Sequence, residues 1–324
     1  LGDKRNILVS GIGKRNVLLS LIGEECHRFG ANLIGVDASP NPPARLAVSN
    51  FQMVPNVVDP QFSNKFMRVL LDHNVSGYLT LIDPEIPILG LIEMHTPDLH
   101  ARFLHPTPAT SELCEDKFAF AQYMQKAGVA VFPTFLERPE IYPHIRKDRR
   151  GSAASGFQMI ASPEQAAETN NANSGQYIYQ RFCGGAHYCV DAYYALNGGE
   201  LVDFCAKEVV VKSKGESFLL RSCPRGEFEA LLREIGRKID LRGIVNFDFL
   251  DDNGTLRLLE INCRIGGNYP ASHGFGCNLL ALCFEELFAH NQEKAKFSDY
   301  AVDQYIAKYF AFSPPVPLEA MPSK

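Results

Sequence analysis

Four polar residues near the end of the chain carry the strongest chemical signal. Asn246, Asp248, Glu260 and Asn262 sit inside runs of Ile, Val, Phe and Leu. Acid and amide groups within apolar strands are costly unless hydrogen-bonded or holding a cation. They alternate along each run, so each pair shares one strand face. Oxygen donors from Asp248, Glu260 and Asn262 suit Mg²⁺, with Mn²⁺ as the alternative. The set lacks the imidazoles and thiolates of a zinc site. A hydrogen-bonded polar patch in a sheet would explain the pattern as well.

The elements that must position these groups read as a β-hairpin, 243–250 and 255–264, joined at Asp251-Asp-Asn-Gly254. A four-residue loop would place Asp248 opposite Arg257, on the face away from Glu260. A three-residue loop with Gly254 in a left-handed bulge pairs Asp248 with Leu258 and Asn246 with Glu260. All four polar side chains then face one way, and this register is the expectation.

Upstream, Lys147 precedes the small-residue tract Gly151-Ser-Ala-Ala-Ser-Gly156. Small residues let backbone N–H groups approach phosphate oxygens. The tract is not a Walker A sequence, and alone it reads as a surface loop. Lys117, at a helix start, alone reads as a solvated charge. Gly11-Ile-Gly13 follows a strand and opens a helix, as in part of a dinucleotide fingerprint. The third glycine is replaced by Asn16. Asp37 would meet a ribose in that reading, which defines an NAD(P)-dependent oxidoreductase alternative. The plainer reading is a tight strand-to-helix turn, with a substrate carboxylate or phosphate at the helix N-terminus as a further option.

The wider chain supplies a scaffold for such sites. Strand, helix and strand at 6–10, 17–29 and 31–36 imply a parallel sheet, continued by a helix at 62–72 and a strand at 77–82. Helices are expected at 115–127, 227–239 and 279–290, and long antiparallel strands at 186–196 and 200–211. The 324 residues allow two or three modules; 46% are hydrophobic, 21% charged, and the net charge is −5. No basic excess suggests a nucleic-acid binder. Nine cysteines, without a CxxC pair, read as reduced thiols of a cytoplasmic protein. No apolar run approaches the roughly 20 residues of a membrane span. No signal-peptide pattern is present, and a start at Leu1 without Met fits a processed terminus.

Together these segments resemble the ATP-grasp superfamily, within it the carbamoyl-phosphate-synthase-like carboxylate–amine ligases. The lysine before the lid is matched by Lys117. The lid motif Lys-Pro-Arg-x-Gly-Ser-Gly-Ser-x-Gly is matched by Lys147, Arg149, Gly151, Ser152, Ser155 and Gly156. The hinge and following strand are matched by Gln180, Arg181, Phe182, Cys183, Gly185, His187 and Asp191. The terminal motif Glu-x-Asn-Pro-Arg is matched by Glu260-Ile-Asn262-Cys-Arg264, with Asp248 at the first metal position. His187 stands where the family has a ribose-binding glutamate, Arg181 replaces a hinge glutamate, Cys263 a proline and Ala153 a lid glycine.

The resemblance implies a Rossmann-like pre-ATP-grasp domain (1–112), a lid subdomain (113–183), a central antiparallel-sheet domain (184–312) and a tail (313–324). It implies ATP and Mg²⁺ as cofactors. ATP contacts fall to Lys117, Lys147, Gly151, Ser152, Ser155, Gly156, Gln180, Arg181, Phe182, Cys183 and His187. The metal falls to Asp248, Glu260 and Asn262, catalysis to Arg264 and Lys147, and the substrate to Lys207, Lys212, Arg264, Gly266 and Gly267. The implied reaction activates a small carboxylate as an acyl phosphate and couples it to an amine or ammonia. Carbamoyl-phosphate-like acyl phosphate formation and a non-catalytic nucleotide-binding module are the alternatives. The implied partners are small molecules and a second copy in a homodimer, with no nucleic acid or membrane.

Overall fold

A computed structural model of the chain describes residues 5–96, 99–151, 155–168, 175–213, 215–289 and 297–315. The N-terminal part runs β1 (Arg5–Ser10), α1 (Asn16–Arg28), β2 (Ala31–Asp37), β3 (Asn50–Met53), α2 (Phe62–Asp72), β4 (Val75–Thr80), α3 (Ile86–His95) and β5 (Arg102–Phe103). The strands form a parallel sheet in the order β3-β2-β1-β4-β5. Successive β1 side chains serve opposite faces. Ile7 and Val9 pack with Leu18, Leu19 and Ile22 of α1, while Leu8 packs with Phe62 and Phe66 of α2. The chain winds outward from β1 in one direction and then, from β4, in the other. The carboxyl ends of β1 and β4 therefore flank a topological switch point, where such sheets bind ligands.

The helix expected at 115–127 is α5 (Lys117–Lys126), and a further helix, α4 (Pro108–Glu115), precedes it. Asp116 leaves helical geometry at φ −86°, ψ 92° and accepts the Ala119 N–H at 3.1 Å, capping α5. Next come β6 (His144–Asp148), β7 (Gln158–Ile160), α6 (Pro163–Glu168) and β8 (Tyr177–Arg181). Their strands form a small antiparallel sheet ordered β7-β6-β8.

The remainder comprises β9 (His187–Tyr194), β10 (Leu201–Ser213), β11 (Glu216–Ser222), α7 (Phe228–Gly236), β12 (Gly243–Asp251), β13 (Leu256–Asn262), α8 (Tyr269–Gly274), α9 (Leu279–Ala289) and β14 (Tyr305–Ala307). The six strands form one antiparallel sheet, β13-β12-β9-β10-β11-β14. Val190, Phe247 and Phe249 belong to the face whose core includes Phe228, Leu232 and Ile235 of α7. The opposite face carries His187, Cys189 and Asp191, paired in register with Leu250, Asp248 and Asn246.

The hairpin corrects one expectation and keeps its consequence. Asn246 faces Asn262, Asp248 faces Glu260, and beyond a shift Phe249 faces Leu258. The extra residue is Leu259 within β13, not one at Gly254. The turn is a two-residue loop: Asp252 and Thr255 exchange backbone hydrogen bonds, and both Asn253 (φ 55°) and Gly254 (φ 83°) are left-handed. An Asn-Gly pair in this geometry matches the strand twist, which is why the loop stays at two residues. The bulge restores the parity that a two-residue loop would lose, and the four polar side chains still share a face.

Candidate active site

The polar strip is a connected network. Asn246 Nδ2 donates to Asp191 Oδ1 at 2.9 Å, and Asn262 Nδ2 donates to Asn246 Oδ1 at 3.3 Å and to Asp248 Oδ2 at 3.5 Å. His187 Nε2 lies 2.7 Å from Asp248 Oδ1. Burial acts to raise the Asp248 carboxyl pKa. The hydrogen bond and charge of His187, together with Lys212 and Lys147, outweigh it and hold the pKa below the ordinary value. Among the described residues, no three His, Cys, Asp or Glu side chains form a ready cage for a metal. The donor set is two facing carboxylates and an amide whose nitrogen is already committed, with cations beside it. That fits Mg²⁺, which takes few protein carboxylates and completes its shell with water and phosphate.

The cations come from three elements. Lys147, on β6, sits close enough to feel Glu260, Lys212, Lys117 and Asp248. Burial lowers its pKa most, Lys212 and Lys117 lower it further, and the two carboxylates act against them. Lys117 opens α5; its backbone N–H donates to Arg149 O at 3.1 Å and its ammonium to Gly151 O at 2.6 Å. Arg149 Nε in turn donates to Asp116 Oδ1 at 2.7 Å. The lid strand and Lys117 are thus held as one unit by Asp116, a residue that sequence reasoning passed over. Its position before a helix that starts with lysine was the available signal.

The lid loop is in part described. Ser155 Oγ donates to Asp148, and Gly156 adopts φ 63°, where a Cβ would meet Asp148 Oδ1 at 2.0 Å. Gly151 is left-handed as well, at φ 123°. Ser152 and Ala153 lie outside the described residues.

At the hinge two side chains are engaged within the protein. Gln180 is buried and donates to Thr134 Oγ1 at 2.9 Å. The Arg181 guanidinium pairs with Asp252 and lies over Phe132, 5.0 Å from its ring centre. Both residues lie in β8, in register with Ile145 and His144 of β6. Cys183 Sγ donates to Asp251 O at 3.3 Å, while Phe182 is largely exposed. His187 shares the strip with Asp248 and Asn246 and holds the Asp248 carboxylate.

The substrate assignments divide. Lys207 is wholly buried, with its ammonium 2.7 Å from Asp191 Oδ2 and 2.5 Å from Ser272 Oγ on α8. Burial works against its charge, but Asp191 outweighs it and raises the pKa. A lysine sealed in this way cannot reach a substrate, so that assignment is corrected to a structural ion pair. Lys212, five residues on, is exposed and belongs to the cationic group beside Asp248. Arg264 follows β13 and donates from Nε to Asp83 Oδ2 at 2.9 Å, across to the loop after β4. Gly266 lets this segment close on the strip, since a Cβ there would sit 2.9 Å from Asp191 Oδ1 and from the Asn246 amide. Gly267 is exposed beside Arg15.

The oxidoreductase alternative loses its ribose ligand. Asp37 accepts from Gly13 N at 2.9 Å and Ser39 N at 2.8 Å, so its carboxylate closes the turn.

Comparison with known proteins places this arrangement. Residues 7–99 match the family described as PylC-like, N-terminal domain, and residues 114–268 match the ATP-grasp domain family. The chain carries an ATP-grasp domain. Residues 100–113, which include β5 and most of α4, lie between the two matched regions. Biotin carboxylase from Nostoc sp. (strain PCC 7120) is 25% identical, with 54% of this chain and 46% of the relative covered. Biotin carboxylase from Haemophilus influenzae is 23% identical, with 52% and 44% covered. This ATP-grasp chain thus spans just under half the length of these curated relatives. Among solved structures, N5-carboxyaminoimidazole synthetase from Staphylococcus aureus with ADP superposes at a TM-score of 0.73, with 15% identity and 91% and 79% of the two chains covered. The biotin carboxylase domain dimer of Hydrogenobacter thermophilus 2-oxoglutarate carboxylase, bound to MgADP, ADP and bicarbonate, gives 0.72, with 14% identity and 93% and 73% covered. L-amino acid ligase from Bacillus licheniformis gives 0.68, with 17% identity and 88% and 74% covered. These likenesses show the fold, an N-terminal parallel sheet followed by an ATP-grasp fold with an antiparallel sheet. Among the described residues no helix is long and apolar enough to cross a membrane.

Proposed function

We propose that the protein is an ATP- and Mg²⁺-dependent ligase that activates a small carboxylate as an acyl phosphate and joins it to an amine or ammonia, releasing ADP and phosphate. One observation carries the reading: Lys117, Lys147 and Lys212 gather around the facing carboxylates Asp248 and Glu260, with Arg264 two residues beyond Asn262. Opposed clusters of cation and carboxylate suit a metal–triphosphate, which needs both. Mg²⁺, held by Asp248, Glu260 and Asn262, would supply charge neutralisation between phosphate oxygens.

The chain's own groups do the positioning. Lys117 and Lys147 hold phosphate oxygens, and residues 151–156 cover them and exclude water. The acid's carboxylate oxygen attacks the γ-phosphorus, and the bond to the β–γ bridging oxygen breaks as ADP leaves. Arg264 offsets charge on the transferring group and then on the tetrahedral adduct formed by the amine, from which phosphate departs. In this reading residues 1–112, 113–183 and 184–312 act as substrate, lid and nucleotide domains, and two copies form a homodimer in the cytoplasm.

The test is ADP release over a matrix of carboxylates, bicarbonate included, against amines and ammonia. At least one pair should release ADP well above the ATP-only rate. No productive pair, together with ATP affinity unchanged in Asp248→Asn and Glu260→Gln, would overturn the ligase reading.

A further inference from the structure

The end of the parallel sheet nearest the Arg264 segment holds a group that the proposed chemistry has not used. Arg15 precedes α1, at the switch point between β1 and β4. Its Nη2 donates to Leu81 O at 3.2 Å. Its Nη1 is buried with no hydrogen-bond partner, as is Oδ1 of the adjacent Asn16. Buried polar atoms without partners are rare, and two on neighbouring residues mark a place where a polar ligand completes the bonding.

Three further observations say what that ligand carries. Arg15 Nη1 lies 3.9 Å from where a Cβ on Gly267 would stand, so it points toward the segment that bears Arg264. Arg15 has a pKa lowered to about 10; burial is the main cause, repulsion by Arg264 adds to it, and Asp83 and Glu216 oppose it. Asp83 and Glu216 are already engaged, the first by Arg264 and the second by Lys14 and Lys308. The 13-residue helix α1 has neither a side-chain cap nor an acid in its first turn, so its positive end is not offset locally. Two guanidiniums close enough to repel each other, with a bare helix N-terminus beside them, select an oxyanion.

We infer that Arg15 is a substrate-binding residue whose buried Nη1 takes a carboxylate oxygen of the acid substrate opposite Arg264. The inference rests on the ligase reading and adds to it. The acid lies with its carboxylate at the switch point, at the end of the strip that holds the nucleotide. Arg15 supplies planar hydrogen bonding from the N-terminal sheet, so the acid bridges both halves of the protein. Asn16 Oδ1 is placed to accept from a hydroxyl or amine on the same molecule.

The test uses the full chain saturated with Mg·AMPPNP, which fills the lysine cluster. Succinate, bicarbonate and inorganic phosphate are then titrated by calorimetry. Arg15→Met should weaken binding of the anion that binds best at least about 10-fold, while Arg15→Lys, which keeps charge but loses the planar donor, recovers part of it. Both should keep wild-type affinity for Mg·AMPPNP, which also shows that they fold. Equal anion affinity in wild type and Arg15→Met would overturn the inference, and so would no binding of any of the three anions to the wild type. Failure of the wild type to bind Mg·AMPPNP would instead strike the ligase reading.

Discussion

His187 Nε2 stands 2.7 Å from Asp248 Oδ1, so the imidazole steadies the carboxylate proposed to hold the metal. The two residues lie 61 positions apart and meet because β9 and β12 are neighbours, with His187 two pairs further along than Cys189, the residue facing Asp248. Partners of this kind set the orientation of a carboxylate before the cation arrives. Replacing them commonly costs about 10–100-fold in metal affinity. His187→Ala should raise the Mg²⁺ concentration for half-maximal binding of a fluorescent ATP analogue by about 10-fold. A midpoint that stays with the wild type would show that the contact does not steady the site.

Lys147 gives a pH-dependent stability with a defined sign. Its folded pKa lies below the ordinary 10.5, chiefly through burial and then through Lys212 and Lys117. The folded state therefore binds its proton less tightly than the unfolded chain. Carrying the charge destabilises the fold below the lowered pKa, and this relief comes as pH rises from there to 10.5. Lys147→Met should melt at a higher temperature than wild type at pH 7, and the difference should shrink toward pH 10.5. Scanning calorimetry across that range reads the trend; a gain that grows with pH contradicts it. The same variant should lose ATP affinity, since it removes a phosphate contact.

Lys207 should behave as a stability residue. Its partners Asp191 and Ser272 are buried, and removing one member of a buried pair costs about 3–5 kcal/mol. Lys207→Met should shift urea unfolding by that amount. Adding Asp191→Asn should recover a large part of it, because the uncompensated charge is gone. A Lys207→Met protein of wild-type stability with a selectively raised KM for the acid would restore the substrate role.

How much of this was legible in sequence follows from the range of each signal. The parallel sheet and α1 were read from short apolar runs, and the metal strip from polar residues at alternate positions. Those signals are local. The parity of the hairpin was also right, but for the wrong bulge: Asn253-Gly254 favours a two-residue turn, and nothing in Leu258-Leu259 announces that one of them will stand unpaired. Helix α4 was missed because its buried face, Pro108, Thr110, Ser111 and Cys114, is not an apolar stripe. Lys207 and Lys212 look alike on one strand; only α8, whose Ser272 lies 65 positions from Lys207, buries the first and leaves the second open. Arg181 could not be recognised as spent, since its partner Asp252 lies in a turn 71 residues on. The orphaned Nη1 of Arg15 is a property of packing between two sheets, which no single segment encodes.

The central claim is that Asp248 and Glu260 hold a metal that ATP needs. The most direct measurement is calorimetric titration of ATP into the protein with and without Mg²⁺, for wild type, Asp248→Asn and Glu260→Gln, with melting curves to confirm folding. The account predicts tight binding only with Mg²⁺ in the wild type, and at least about 10-fold weaker binding in each folded variant. ATP affinity independent of Mg²⁺, or unchanged in both variants, would contradict it.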